Sequence, residues 1–244
     1  MATSGGALAP QLTEVVLEDV VHAYGDVQAL AGVSLRAAPG EVVAIVGPSG
    51  CGKSTLLDLV CGLLTPAGGR VEAPRAVLMP QEDQLLPWLT ALDNAGLALR
   101  IGGASAGQAR AAAHPLLEAL GLAGFEHARP AALSGGMRQR VAFARTLLAG
   151  APVLCLDEPF GALDAITRAD TQAWLAAALA RTPRTVLLVT HDVEEAVVLA
   201  DTVIVLSPRP GRVLATLPVA LGRPRAATDP GVVALRAEAL AAMR

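Results

Sequence analysis

Residues 41–54 read EVVAIVGPSGCGKS, and this stretch decides the fold. An apolar run of strand length breaks into a glycine-rich turn, and STLLDLVCGLL (54–64) continues with apolar residues at helical spacing. Gly47, Pro48, Ser49, Gly50, Cys51, Gly52, Lys53 and Ser54 fit the pattern G-x-x-x-x-G-K-[ST] in the strand-to-helix context that gives the pattern its chemistry. Glycines let successive backbone N–H groups point at a polyphosphate, and the positive end of the following helix adds to the attraction. Lys53 is therefore expected to reach the β- and γ-phosphates of ATP, Ser54 to ligate Mg²⁺ and Thr55 to hold the α-phosphate. A turn that merely caps a helix would leave the lysine unexplained.

That lysine is the only one in the chain. Of the 19 Lys plus Arg, all the others are Arg. A sequence that takes guanidinium for every other cation keeps a compact ammonium on a flexible stem at position 53, which points to a site that needs one. The net charge of -3 and 2% aromatic residues provide neither the basic stripe nor the stacking platform of a nucleic-acid binder, so DNA and RNA are not expected partners. Although 53% of residues are apolar, the apolar stretches (42–46, 186–190, 203–206) are strand-length and none spans a bilayer. No charged-then-apolar leader opens the chain, so a cytoplasmic location is expected. Cys51, Cys61 and Cys155 lack metal-ligand spacing and read as reduced core thiols.

Working outward, residues 1–11 are small, polar and Gly/Pro-containing, the composition of a frayed terminus. TEVVLEDV (13–20) and VSLRAA (33–38), divided by a turn around Gly25, read as an antiparallel β-edge. Residues 82–140 are dominated by Ala, Leu and Gly, with few β-branched residues and a weak linker IGGASAGQ (101–108), and read as an inserted helical subdomain. PVLCLD, TVLLVT and TVIVLS then alternate with helical patterns, the rhythm of a mostly parallel sheet covered on both faces. The expected organisation is one domain over residues 12–230, with its core at 12–81 and 141–230 and a C-terminal helical tail at 231–244.

Three further features carry chemistry. The apolar run ending in Asp157-Glu158 brings two carboxylates to the end of a buried strand, where open α/β sheets bind ligands. There Asp157 can hold Mg²⁺ through water, and Glu158 can accept a proton from the water attacking the γ-phosphate. The third is Leu133-Ser134-Gly135-Gly136-Met137, just before the helical RQRVAFARTLLA, which on its own would be a serine N-cap followed by two turn glycines.

In this order, the phosphate loop, the LSGG segment and the Asp-Glu strand end resemble the ATP-binding cassette (ABC) ATPases, over about residues 13–225. The resemblance implies a phosphate-loop, RecA-like α/β core with an N-terminal antiparallel β subdomain. It implies that Tyr24 stacks on adenine, that Gln81 touches Mg²⁺ and the attacking water, that Asp164 signals across a dimer and that His191 contacts the γ-phosphate. It also implies that Ser134, Gly135 and Gly136 cover the ATP bound by a second copy of the chain. QEDQLLPWLTALDN, LGLAGFEHARPAALSGGMRQR and THDVEEAVVLADTVIVLSPRPGRV resemble the nitrate/sulfonate/taurine importer branch, and Met137 in place of the glutamine usual across the superfamily fits that branch. The partners so implied are permease subunits at the cytoplasmic face of the inner membrane and, indirectly, a periplasmic or extracellular solute-binding protein. A pyrimidine-type vitamin precursor as cargo, and a soluble non-transport ABC ATPase, are the alternatives.

Overall fold

The computed structural model describes residues 14–161, 163–181 and 183–243, so the stretch read as a frayed terminus lies outside it. The chain opens with a hairpin, β1 (Val15–Tyr24) and β2 (Val27–Ala37), turned at Gly25 and longer than the β-type runs suggest. β3 (Val42–Val46) follows and leads through the glycine-rich turn into α1 (Lys53–Val60). α1 stops short of the helical pattern that extends to residue 64, because Gly62 takes a left-handed φ of 68° and ends it. β4 (Gly68–Glu72) then pairs with the free side of β1, making a three-stranded antiparallel sheet in the order β2-β1-β4.

The second sheet is larger. β5 (Ala76–Met79), β6 (Val153–Asp157), β7 (Thr185–Thr190), β3 and β8 (Thr202–Leu206) run parallel in the order β5-β6-β7-β3-β8, and β9 (Val213–Pro218) closes the edge antiparallel to β8. Side chains alternate between two cores, as the period of two along a strand requires. Val42, Ala44 and Val46 enter one core with Val141, Phe143, Leu175 and Val232, whereas Val43 and Ile45 enter the other with Leu17, Leu30, Leu56 and Leu57. β3 is thus buried on both faces, and this is why its sequence is an unbroken apolar run.

Between β5 and β6 lie α2 (Ala91–Ala95), α3 (Leu97–Ile101), α4 (Ala106–Ala119), a 3-10 turn at Pro130–Ala132 and α5 (Gly135–Leu148). The stretch read as a weak linker contains a helix start. Ser105 Oγ accepts from Gln108 N at 3.3 Å and Gln108 Oε1 accepts from Ser105 N at 2.9 Å, a reciprocal cap that opens α4. Gly96, where α2 gives way to α3, lies so close to α4 that an added Cβ would sit 3.1 Å from both the Cβ and the carbonyl oxygen of Ala109. The boundary drawn at residue 140 falls inside α5, whose second half buries Val141 and Phe143 in the main core.

α6 (Ala165–Arg181) and α7 (Val193–Leu199) flank β7 in sequence, and α8 (Pro230–Ala242) ends the described chain. The segment expected as a tail is mostly α8, capped by Asp229 and burying Val232 and Ala239 against the same core as α7. Among the described residues no helix is long and apolar enough to cross a membrane.

Candidate active site

The glycine-rich turn hangs on the C-terminal end of β3, and its shape is enforced from behind. Gly52 has φ 100°, and a Cβ there would lie 2.6 Å from Leu30 Cδ2, so only glycine fits the last turn before α1. The loop 207–212 between β8 and β9 passes behind the same turn: Gly211 exchanges backbone hydrogen bonds with Ala29 and Ala31, at 2.8 and 3.0 Å, and a Cβ on it would collide with the carbonyl oxygen of Cys51. Lys53 is buried and donates to the carbonyl oxygens of Gly47 and Pro48, at 2.8 and 3.1 Å. These bonds keep the ammonium inside the curve of the loop, facing the cleft.

Tyr24, half exposed, reaches the helix start from the hairpin, its hydroxyl 3.3 Å from Thr55 Oγ1 and its ring edge-on to His22. On the other side, β6 delivers Asp157, and Ser54 hydrogen-bonds to its carboxyl group. Burial pushes the Asp157 pKa above the usual carboxylate range, and the neighbouring Glu158 pushes the same way; the Ser54 bond and the Lys53 charge oppose them.

Glu158 leaves β6 in a left-handed conformation, φ 47°, which is rare for a non-glycine residue and costs of the order of 1 kcal/mol or more. Its backbone is held by Val189 O at 2.8 Å, and its side chain meets two of the other expected residues. Gln81 Nε2 donates to Oε2 at 3.0 Å, and His191 Nδ1 lies 3.2 Å from Oε1. Gln81 (just after β5), Glu158 (after β6) and His191 (after β7) therefore converge at the C-terminal edge of three adjacent strands. The cleft between Gln81, Asp157, Glu158 and the loop, with His191 outside it behind Glu158, has a volume of about 340 Å³. Val27, Ala29 and Arg209 also line it, residues not expected from the sequence; for Arg209 the signal was the Pro/Gly-rich SPRPGR turn.

Residues 30–161 match the ABC transporter family. The chain is 46% identical over 230 residues to the aliphatic sulfonates import ATP-binding protein SsuB 2 of Burkholderia lata, covering 91% of this chain and 83% of that protein. The chain belongs to the ABC transporter family. Over 217 residues this ABC cassette is also 44% identical to the taurine import ATP-binding protein TauB of Yersinia pestis, covering 85% of each. Among solved structures it resembles the dimeric post-hydrolysis state of the ATP-binding cassette MJ0796 bound to ADP and Pi, with a TM-score of 0.77, 31% identity, and coverage of 85% of this chain and all of that one. The ABC cassette is accordingly an ATPase, and the cleft at Lys53 is where ATP is expected.

His191 lies behind Glu158 and not in that cleft, and Ser134, Gly135, Gly136 and Asp164 lie away from it. Ser134 caps α5, accepting from Met137 N at 3.2 Å, and Gly135 and Gly136 form the first helical turn instead of a loop. Ser134 and Gly135 are exposed. Asp164 caps α6 through Ile166 N and Thr167 N, at 3.1 and 3.0 Å, and its carboxyl is held below its ordinary range by the backbone and side-chain hydrogen bonds of Thr167. Between the two regions, the segment after Gln81 is tied to α5: Arg138 bonds Asp83, and Arg145 donates to the carbonyls of Asp83 and Gln84 at 2.8 and 2.9 Å. The fully buried Asn94 closes the same segment through Leu86, Leu89 and Thr90.

Proposed function

We propose that this ATPase works as a pair, two copies enclosing two ATP molecules, at the cytoplasmic face of the inner membrane. There it drives a separate permease that takes up a small sulfonate such as taurine or another alkanesulfonate. The observation that carries the reading is the split between a phosphate-loop cleft floored by the buried Lys53 and Asp157 and a separate helix start at Ser134–Gly136, with Ser134 and Gly135 exposed, on the same chain. A helix N-terminus with free N–H groups favours an anion, and in a facing copy it would lie against the γ-phosphate. The sulfonate class is supported by the names of the two relatives, and an extracytoplasmic solute-binding protein would deliver it. Nitrate is a second small anion within the same reading.

In this assignment the backbone from Gly47 to Gly52, Pro48, Ser49, Gly50 and Cys51 included, cradles the phosphates, Lys53 binds the β- and γ-phosphates, Thr55 the α-phosphate, and Tyr24 stacks on adenine. The oxygen donors Ser54, Gln81 and Asp157 suit Mg²⁺. They are hard ligands, few in number, and the buried carboxylate of Asp157 crowded by Glu158 is an arrangement a dication relieves. Bound there, the ion would offset phosphate charge. Glu158 accepts the proton of the attacking water, Gln81 orients that water, and His191 fixes the Glu158 carboxylate and contacts the γ-phosphate. Asp164 lies at the dimer seam.

The direct test is assembly and stimulation. The chain extracted from membranes should co-purify with a permease, and in the reconstituted complex its ATP turnover should rise when a solute-binding protein loaded with taurine or an alkanesulfonate is added. A chain that stays free of membrane proteins in the presence of ATP and permease would defeat the importer reading. Stimulation by a binding protein loaded with a cationic or sugar solute would defeat the sulfonate reading alone.

A further inference from the structure

Behind Glu158 and His191 lies a small polar cavity of about 40 Å³, walled by Gly161, Arg168, Thr190, Asp192 and Glu195 as well as by those two side chains. Two of its wall atoms are unusual. Arg168 Nε and Glu195 Oε1 are both buried and have no hydrogen-bond partner among the described residues. The two opposite charges face one small cavity without a direct ion pair, each with a polar atom to spare, and a shared water, for which the volume suffices, would complete the network.

Each of the two residues is anchored to a different piece of the site. Arg168, in the first turn of α6, donates from Nη2 to the carbonyl of Leu163 at 3.1 Å, which fixes the loop that ends at Asp164. Glu195, in the first turn of α7, is 6% exposed and is bonded by Thr190 and by Gln172 Nε2, the latter at 3.4 Å. Thr190 Oγ1 in turn accepts from Asp192 N at 3.0 Å, so the turn that presents His191 is tied on both sides to Glu195. The Asp164 loop and the His191 turn, already joined at Glu158, thus also face each other across the cavity between Arg168 and Glu195.

We infer that Arg168 and Glu195 are positioning residues for ATP hydrolysis, opposite charges across one cavity that set the His191 turn and the Asp164 loop relative to each other. Neither touches ATP. Their effect is on the rate of the chemical step, through the orientation of His191 against Glu158 and the placing of Asp164 at the seam. The inference rests on the site assignment given under Proposed function.

The pair is also open to titration. Burial pushes the Glu195 pKa up to about 7, with Asp192 acting in the same direction, while Thr190, Arg168 and Gln172 act against them. The other charged groups facing this corner are Glu158 and His191 across the cavity, Glu194 on α7, and Arg223 and Arg225 from the segment before α8. Above about pH 7 the ionised carboxylate faces the Arg168 charge across the cavity; below it that attraction is lost. The sign for stability is opposite. The unfolded chain releases this proton near pH ~4.3, the folded chain near 7, so ionisation weakens the fold progressively as pH rises through that window.

The experiment is the steady-state ATPase of the full chain carrying Glu195→Gln, as a function of pH, together with its thermal unfolding. The expected result is a kcat about tenfold below wild type at about pH 8, an unchanged KM for ATP, and loss of the wild-type rise in kcat near neutrality. Thermal stability above about pH 7 should equal or exceed that of wild type. A rate and pH profile equal to wild type overturn the inference, and so do kcat and stability falling together. Arg168→Lys, which keeps the charge but not the reach to Leu163, should lower kcat comparably. It decides the matter by itself if Glu195→Gln does not fold, and a wild-type rate in it is then contradictory. His191→Ala separates the levels: full activity there defeats the site assignment, whereas an inactive His191→Ala beside a fully active Glu195→Gln defeats only the positioning role.

Discussion

The Lys53 cleft and the Ser134–Gly136 helix start both have the chemistry to hold phosphate, yet the fold treats them in opposite ways. The first is a cleft with a buried floor: Lys53 is bonded to its own loop, Leu30 and Gly211 press the loop from behind, and three strand ends bring Gln81, Glu158 and His191 to one edge. The second is an N-cap whose exposed serine is satisfied locally and is followed by an exposed Gly135 and a half-buried Gly136. In the proposed reading one region is a site within a single chain, and the other becomes part of a site only against a second copy. Binding and turnover should therefore be separable by mutation.

The largest expected effect is on turnover alone. Glu158→Gln keeps the bonding shape of the carboxylate but not its basicity, and should lower kcat by at least about 100-fold while ATP still binds, measured by single-turnover hydrolysis and equilibrium binding. Near wild-type hydrolysis would remove Glu158 from its role. Lys53→Ala acts on the cleft itself. Losing a charge-assisted contact of about 1.5–3 kcal/mol should weaken ATP affinity by about one to two orders of magnitude in a titration with a fluorescent analogue. Ser134→Ala probes the outer region. Affinity of the isolated chain for ATP should not change, turnover should fall about tenfold, and loss of the cap should cost about 1 kcal/mol of stability in denaturant unfolding. A weakened affinity in the monomer would break the division between the regions. The smallest effect belongs to Tyr24→Ala, about 1 kcal/mol of adenine stacking, seen as a several-fold weaker affinity for ATP with little change for triphosphate alone.

Much of the core was legible because burial on both faces writes itself into sequence as unbroken apolar runs: β3, β6, β7 and β8 all coincide with such runs. β4 (GGRVE) and β9 (VLATLP) have mixed exposure and glycine or proline, and so carried no such signal. The GGASAGQ stretch looked weak by propensity, but the Ser105–Gln108 pairing shows that a capping box can outweigh poor helix formers at a helix start. In the site, the spacing pattern from Gly47 to Thr55 marks one stretch of chain, and the structure brings Gln81, Asp157 and Glu158 to the same cleft, with His191 behind Glu158. SPRPGR was legible as a turn, but not the placing of Arg209 at the cleft or of Gly211 behind the phosphate loop, because these depend on a loop that returns some 160 residues later. The same holds for Arg168 and Glu195, whose placing on one cavity depends on how α6 packs beside α7.

The claim that the two regions complete each other across two chains is tested most directly by the protein-concentration dependence of ATP turnover in the isolated chain, with sedimentation run alongside. The account predicts that specific activity per chain rises with concentration wherever the protein sediments mostly as a monomer, and that it levels off as the dimer fills. A specific activity that stays constant and substantial while the chain remains monomeric would contradict it.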